Sequence, residues 1–196
     1  SVEALGDRLV GMDAKKVLVV TDSGVMGAGI FTRVREILEK THIKCSVFSE
    51  VEKEPCLENV DGAFQAASQE ACDAVVGLGG GSALDVAKLV AILLKHEGTT
   101  RDYLGIGRVP GKGMATVLIP TTSGTGSEVT KNAIFDDRQA KTKLIVSSPY
   151  LIPDLALIDP ELTVTMPPSL TASSGADAFI HSVEGYLAPK ASPLSD

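Results

Sequence analysis

The stretch Val75-Val76-Gly77-Leu78-Gly79-Gly80-Gly81-Ser82-Ala83-Leu84-Asp85-Val86-Ala87-Lys88 constrains this chain more than any other. Its opening residues read as the end of a buried strand. Three consecutive glycines follow, and then a helix with apolar positions at Val86, Val90, Leu93 and Leu94. A strand that feeds a helix through a glycine turn belongs in an α/β layer, and it aims free backbone N–H groups at an anion. Side chains at the glycines would hold a phosphate away from the main chain. One glycine would serve an ordinary tight turn; three in a row favour a phosphate site. Ser82 is placed to cap the helix, and Asp85, three residues on, has the spacing of a capping-box partner.

The rest of the chain repeats the alternation. Residues 2–11 read as a helix, and Lys16–Thr21 as a short, continuously apolar buried strand that turns at Asp22-Ser23-Gly24. Met26, Ile30, Val34, Ile37 and Leu38 mark one helix, Lys44–Phe48 a second strand, and Leu57 to Ala71 the next helix. Ala74–Leu78 is the strand that enters the glycine turn, 102–112 a loop, and Ala115–Ile119 a further buried strand. Such alternation predicts a doubly wound parallel sheet, with ligands at the carboxyl ends of its strands. Asp22 and Gly79–Ser82 both fall at such ends.

Ala115–Ile119 runs into Pro120-Thr121-Thr122-Ser123-Gly124-Thr125-Gly126-Ser127-Glu128, a loop of hydroxyls and backbone donors suited to phosphate or ribose. Val129–Phe135 and Lys143–Val146 read as a hairpin, and Leu155–Ile158 as a last short strand closed by Asp159-Pro160. Met166-Pro167-Pro168 breaks the pattern, and Ser169–Leu187 is mainly helical. Residues 1–166 are therefore read as an α/β nucleotide-binding domain, and residues 167–196 as the start of a helical one. The chain reads as truncated at both ends. On the final helix Asp177 and His181 lie four apart on one face, with Glu184 beside them. Spacing alone favours a solvated polar face there over a metal site.

Composition narrows the function classes. Net charge is −7, with no basic run, and aromatics are 4% of the chain. Neither a nucleic-acid surface nor a base-stacking platform is expected. No apolar run approaches a membrane span, and the first residues lack a signal-peptide pattern. Cys45, Cys56 and Cys72 have neither paired nor zinc-site spacing and read as reduced thiols of a cytoplasmic protein.

Three motifs together give the chain a resemblance. They are Gly79-Gly80-Gly81-Ser82-x-x-Asp85-x-Ala87-Lys88, the loop Pro120 to Glu128, and Gly175-x-Asp177-Ala178-x-x-His181-x-x-Glu184-Gly185-Tyr186. In this order they resemble the iron-dependent (group III) alcohol dehydrogenases over essentially the whole sequence. The resemblance implies a dehydroquinate synthase-like nucleotide-binding α/β domain whose usual first strand is absent here, followed by an all-helical domain. It implies that Gly80, Gly81 and Ser82 hold the pyrophosphate of NAD. Thr121, Thr122 and Thr125 would then line the nicotinamide-side phosphate and ribose, and Thr130, Asn132 and Lys143 would complete the pocket. Asp22 matches the position that contacts the adenosine ribose, where a carboxylate accepts from a 2′-OH and repels a 2′-phosphate, favouring NAD over NADP. Asp177 and His181 match two of four ligands of an iron ion, or a zinc ion, and the other two lie beyond this sequence. Asp85 is a candidate for the nicotinamide side of the pocket.

The activity so implied is hydride transfer between a primary or short-chain alcohol (or its aldehyde) and NAD, in an enzyme that forms dimers. Glycerol and diol dehydrogenases, maleylacetate reductases and dehydroquinate synthase-like lyases share the scaffold. As it stands, the chain could also act as an NAD-binding module without turnover.

Overall fold

β-Branched and leucine side chains alternate on the central strands, and the alternation decides which helix each face receives. The computed structural model describes residues 1–189, 191 and 192. After a 3-10 turn at Val2–Ala4 come α1 (Leu5–Gly11), β1 (Lys16–Val20), α2 (Ser23–Gly27), α3 (Ile30–Lys40), β2 (Lys44–Phe48), α4 (Leu57–Gln69), β3 (Ala74–Gly79) and α5 (Gly81–Leu93). Then follow β4 (Gly105–Ile106), β5 (Ala115–Pro120), β6 (Asn132–Asp137), β7 (Thr142–Ser147), β8 (Leu155–Ala156) and α6 (Pro168–Leu187). The order β2-β1-β3-β5-β8 is parallel throughout. This is the doubly wound sheet that the alternation predicts.

Val17, Val19, Val76, Leu78, Val117 and Ile119 face a core shared with α1 and α3. Leu18, Val20, Val75 and Leu118 face the opposite core, built on α4 and α5. All but the first two residues of α5 are buried, because the helix is covered by the sheet on one side and by α4 and β6 on others. Gly77 faces α5, where a Cβ would lie 2.7 Å from Leu118 Cδ2 and 2.9 Å from Ala87 Cβ. The bare main chain is what lets α5 settle this close to the sheet.

Several expectations are corrected. The helix marked by Met26 to Leu38 is two helices, parted at Gly29, whose φ of +76° ends the first. The strand expected from Val129 starts at Asn132, because Ser127–Val129 forms a 3-10 turn. β6 and β7 do pair antiparallel, but in a separate sheet whose third strand, β4, falls inside the expected 102–112 loop. Residues 168–187 are helical, whereas Lys190 and residues 193–196 of the expected helical domain lie outside the described residues.

Asp159 ties the two ends of the α/β layer together. It accepts from Val2 N (2.8 Å), the Ser1 hydroxyl (3.1 Å) and Glu161 N (3.2 Å), and the Val2 N–H above all holds its carboxyl below the ordinary 3.8. The unfolded chain therefore takes up that proton first. The stabilisation is complete above the ordinary value and drains away as pH falls through the depressed folded value. Asp159→Ala is expected to cost about 2 kcal/mol near neutrality, by leaving a buried N–H unpaired. It should also flatten the loss of urea midpoint between about pH 5 and pH 2.5.

Candidate functional site

β1, β3 and β5 end side by side, and the turns that follow them open into one cleft of about 1030 Å³. Asp22 follows β1, Gly80 to Ser82 follow β3, and Thr121, Thr122 and Thr125 follow β5; all seven line the cleft. Lys143 of β7 joins them at the rim. The far wall is the Thr165–Pro167 segment and the start of α6, including Ser174 and Asp177. The resemblance implies a carboxylate–imidazole pair facing this crevice; Asp177 is among the lining residues and His181 is not.

The glycine turn is shaped by close approach. Gly79 has φ of +154°, and a Cβ there would lie 2.9 Å from Ala83 Cβ. At Gly81 a Cβ would lie 2.9 Å from Thr125 Cγ2 and 3.1 Å from Thr125 Oγ1. The helix cap is corrected here. Gly80, not Ser82, is the N-cap, and no side chain caps the first turn of α5. The Ser82 hydroxyl instead donates to Lys53 O at 2.7 Å, which pulls the 50–55 loop against the cleft. An uncapped N-terminal turn of a 13-residue helix, floored by glycine, fits a diphosphate in charge and in space.

Asp22 caps α2 through one oxygen, Oδ1, which accepts from Gly24 N (2.8 Å) and Val25 N (3.0 Å). Lys143 Nζ lies 2.9 Å from Glu54 Oε2 and 3.4 Å from Asp136 Oδ1, and these two carboxylates, Glu54 foremost, raise its pKa above the ordinary lysine value. Arg138 and Glu52 form a second ion pair between the hairpin and the 50–55 loop.

Asp85, Thr130 and Asn132 are not among the residues that line the cleft. The capping-box reading of Asp85 fails: its carboxylate turns inward, accepting from Ile134 N at 2.9 Å, from Lys88 Nζ at 3.2 Å and from the Ser127 hydroxyl. Lys88, which sequence reading left without a role, has a side chain with 0% exposure. Its ammonium also reaches Ser127 Oγ (2.8 Å), Asn132 O (2.8 Å) and Thr130 Oγ1 (3.2 Å). Burial pushes the Lys88 ammonium below its ordinary pKa, and the Asp85 carboxylate pulls against that. The available signal was the i, i+3 Asp–Lys pair inside an otherwise apolar helix.

On α6, His181 Nε2 lies 3.7 Å from Asp177 Oδ1, and both side chains are about half exposed. A carboxylate and an imidazole suit a divalent iron or zinc ion in kind but not in number. Among the described residues, no group of three or more His, Cys, Asp or Glu side chains is arranged to hold a metal ion. Gly124 brings the hydroxyl loop against this helix: a Cβ on it would lie 2.7 Å from Ser174 O. Thiol chemistry is disfavoured, since burial raises all three free cysteines, Cys45 to about 11. Among the described residues no helix is long and apolar enough to cross a membrane.

The family model described as iron-containing alcohol dehydrogenase matches residues 1–160. The long-chain-alcohol dehydrogenase 1 of Geobacillus thermodenitrificans is 43% identical over 188 residues, covering 94% of this chain and 47% of that protein. Among solved structures, a 1,3-propanediol oxidoreductase superposes with a TM-score of 0.94 at 33% identity, covering 100% of this chain and 51% of that one. A sulfoacetaldehyde reductase from Bifidobacterium kashiwanohense, solved in complex with NAD+, superposes with a TM-score of 0.87 at 32% identity, covering 94% and 49%. The chain thus spans about half the length of the curated relatives it matches. With its parallel sheet, its glycine turn and a match over most of its residues, the chain belongs to the iron-containing alcohol dehydrogenase family.

Proposed function

We propose that this chain is the nucleotide-binding part of a metal-dependent oxidoreductase that moves a hydride between a primary or short-chain alcohol and NAD. The observation that carries the reading is the uncapped, glycine-floored start of α5 opening on the cleft at the ends of β1, β3 and β5. Residues 1–166 would form the dinucleotide-binding domain and residues 167–196 the beginning of a helical one. The main-chain N–H groups of Gly80, Gly81 and Ser82 clasp the diphosphate. Asp22 accepts from the adenosine 2′-OH with the oxygen its helix cap leaves free. Thr121, Thr122 and Thr125 orient the nicotinamide-side ribose, and Lys143 completes the pocket as a hydrogen-bond donor. Asp177 and His181 contribute two donors toward an iron or zinc ion. When bound, the nicotinamide supplies the hydride acceptor and the ion a Lewis acid for the alcohol oxygen. Family likeness also supports a dimer, and the three free thiols support a cytoplasmic setting.

A second reading, an NAD-binding module without turnover, is favoured for the chain taken alone by the donor pair on α6, which is too small for a metal shell. A diol dehydrogenase is the nearest change of substrate, as the 1,3-propanediol oxidoreductase likeness suggests.

Calorimetry of the 196-residue chain with NAD+ tests the shared core of these readings. Binding of NAD+ at least about tenfold tighter than NADP+ is expected. Asp22→Asn keeps an oxygen for the α2 cap while removing the charge, and should narrow that preference. No binding of NAD+ at millimolar concentration would overturn the proposal. Chelator-sensitive NADH formation from alcohols or diols by the chain would favour the enzyme over the silent module.

A further inference from the structure

Lys88 leads the largest fully buried side chains of the described residues, and it is a cation. An ammonium survives there only if oxygens replace its water. Its three N–H groups meet four: Asp85 Oδ1, Ser127 Oγ, Thr130 Oγ1 and Asn132 O. Asp85 closes the ring by accepting from the Ser127 hydroxyl and from Ile134 N. The cluster therefore joins α5, the 3-10 turn after the hydroxyl loop, and β6. None of these side chains is part of the cleft wall. One link leads to it: Ser127 N donates to Thr125 Oγ1 at 3.2 Å, and the Thr125 side chain rests against Gly81.

We propose that Lys88, together with Asp85 and Ser127, is a positioning residue that holds the Thr121–Thr125 loop at a fixed height over the Gly80–Gly81 turn, so that the nicotinamide half of the dinucleotide meets a preformed grip. The proposal rests on the dinucleotide reading of the cleft. Gly124 sets the distance of this loop from α6, but small hydroxylated residues and glycines do not set its height over the glycine turn, and a buried charge with several directional partners supplies a unique register there. A purely structural role would be met as well by an apolar side chain of similar volume.

The two roles separate by ligand. AMP reaches Asp22 and the glycine turn but lacks the nicotinamide-side phosphate and ribose that the Thr121–Thr125 loop would hold. Lys88→Met and Ser127→Ala should each weaken NAD+ binding by about tenfold or more, the usual scale for a supporting contact behind a ligand-bearing residue. AMP affinity should stay within about twofold of the wild-type value. Ser127→Ala, the smaller change, decides the matter if Lys88→Met does not fold, with thermal melting checking each variant. NAD+ and AMP affinities that fall in parallel with the melting temperature would overturn the proposal, as would unchanged NAD+ binding in a folded variant. A wild-type chain that binds neither ligand would overturn the dinucleotide reading and this inference together.

Discussion

Gly81→Val is expected to raise the Kd for NAD+ at least about 100-fold while the domain still folds, the loss of roughly one or two charge-assisted hydrogen bonds. Gly81 is the first residue of α5, in a conformation that valine can adopt, so the backbone is not the obstacle. The obstacle is Thr125, whose Cγ2 would lie 2.9 Å from the new Cβ before valine's own branches are added. Thr125 is exposed, so its side chain can rotate into solvent for the loss of one hydrogen bond from Ser127 N, which keeps the folding cost small. Swinging away removes a hydroxyl from the cleft, and the valine methyls take the space that an incoming phosphate oxygen would need. Titration of NAD+ against the folded variant reads the effect. Wild-type affinity in that variant would exclude the α5 start as the anion site.

The largest stability effect is expected at Gly77→Val, about 3 kcal/mol, or a fall in Tm of about 10 °C for a chain of this size. Unlike Gly81, Gly77 is in the middle of the sheet, on a strand buried along its whole length. A Cβ there meets Leu118 Cδ2 at 2.7 Å, Ala87 Cβ at 2.9 Å and Leu84 Cδ2 at 3.3 Å. None of these atoms has solvent to retreat into, so α5 itself must rise from the sheet. Denaturant melts of the variant measure the cost, and a midpoint equal to wild type would mean that the α5–sheet spacing is softer than the packing indicates. NAD+ affinity should fall as well, because α5 carries the glycine turn with it.

Much of this architecture could be read from the chain alone, for identifiable reasons. β1, β3 and β5 announce themselves because a strand covered on both faces has a short unbroken apolar run, rich in β-branched residues and too brief for a buried helix. The break between α2 and α3 escaped because the apolar spacing runs on across it: Val25, Ile30 and Val34 reach the same core from both helices. Ser82 and Asp85 have the spacing of a capping box, and local spacing is blind to what lies opposite. Lys53 O claims the serine, and Lys88, Ser127 and Ile134 N claim the aspartate. The Thr130 hydroxyl and the Asn132 main-chain carbonyl follow the same logic, accepting from a buried ammonium that only the folded chain assembles. Asp22, Gly80 to Ser82 and Thr121, Thr122 and Thr125 line the cleft where strand ends had to put them, whereas Lys143 and Asp177 reach it from β7 and α6.

Gly124 has a last consequence. With only hydrogen facing the Ser174 carbonyl, the gap between loop and helix is set by main chain against main chain. No rotamer can widen or narrow it. Asp177 sits three residues further along, about 4.5 Å of helical rise, so the span between the hydroxyl loop and the Asp177 Cα is a gauge machined into the backbone, indifferent to which side chains decorate the rest of the wall.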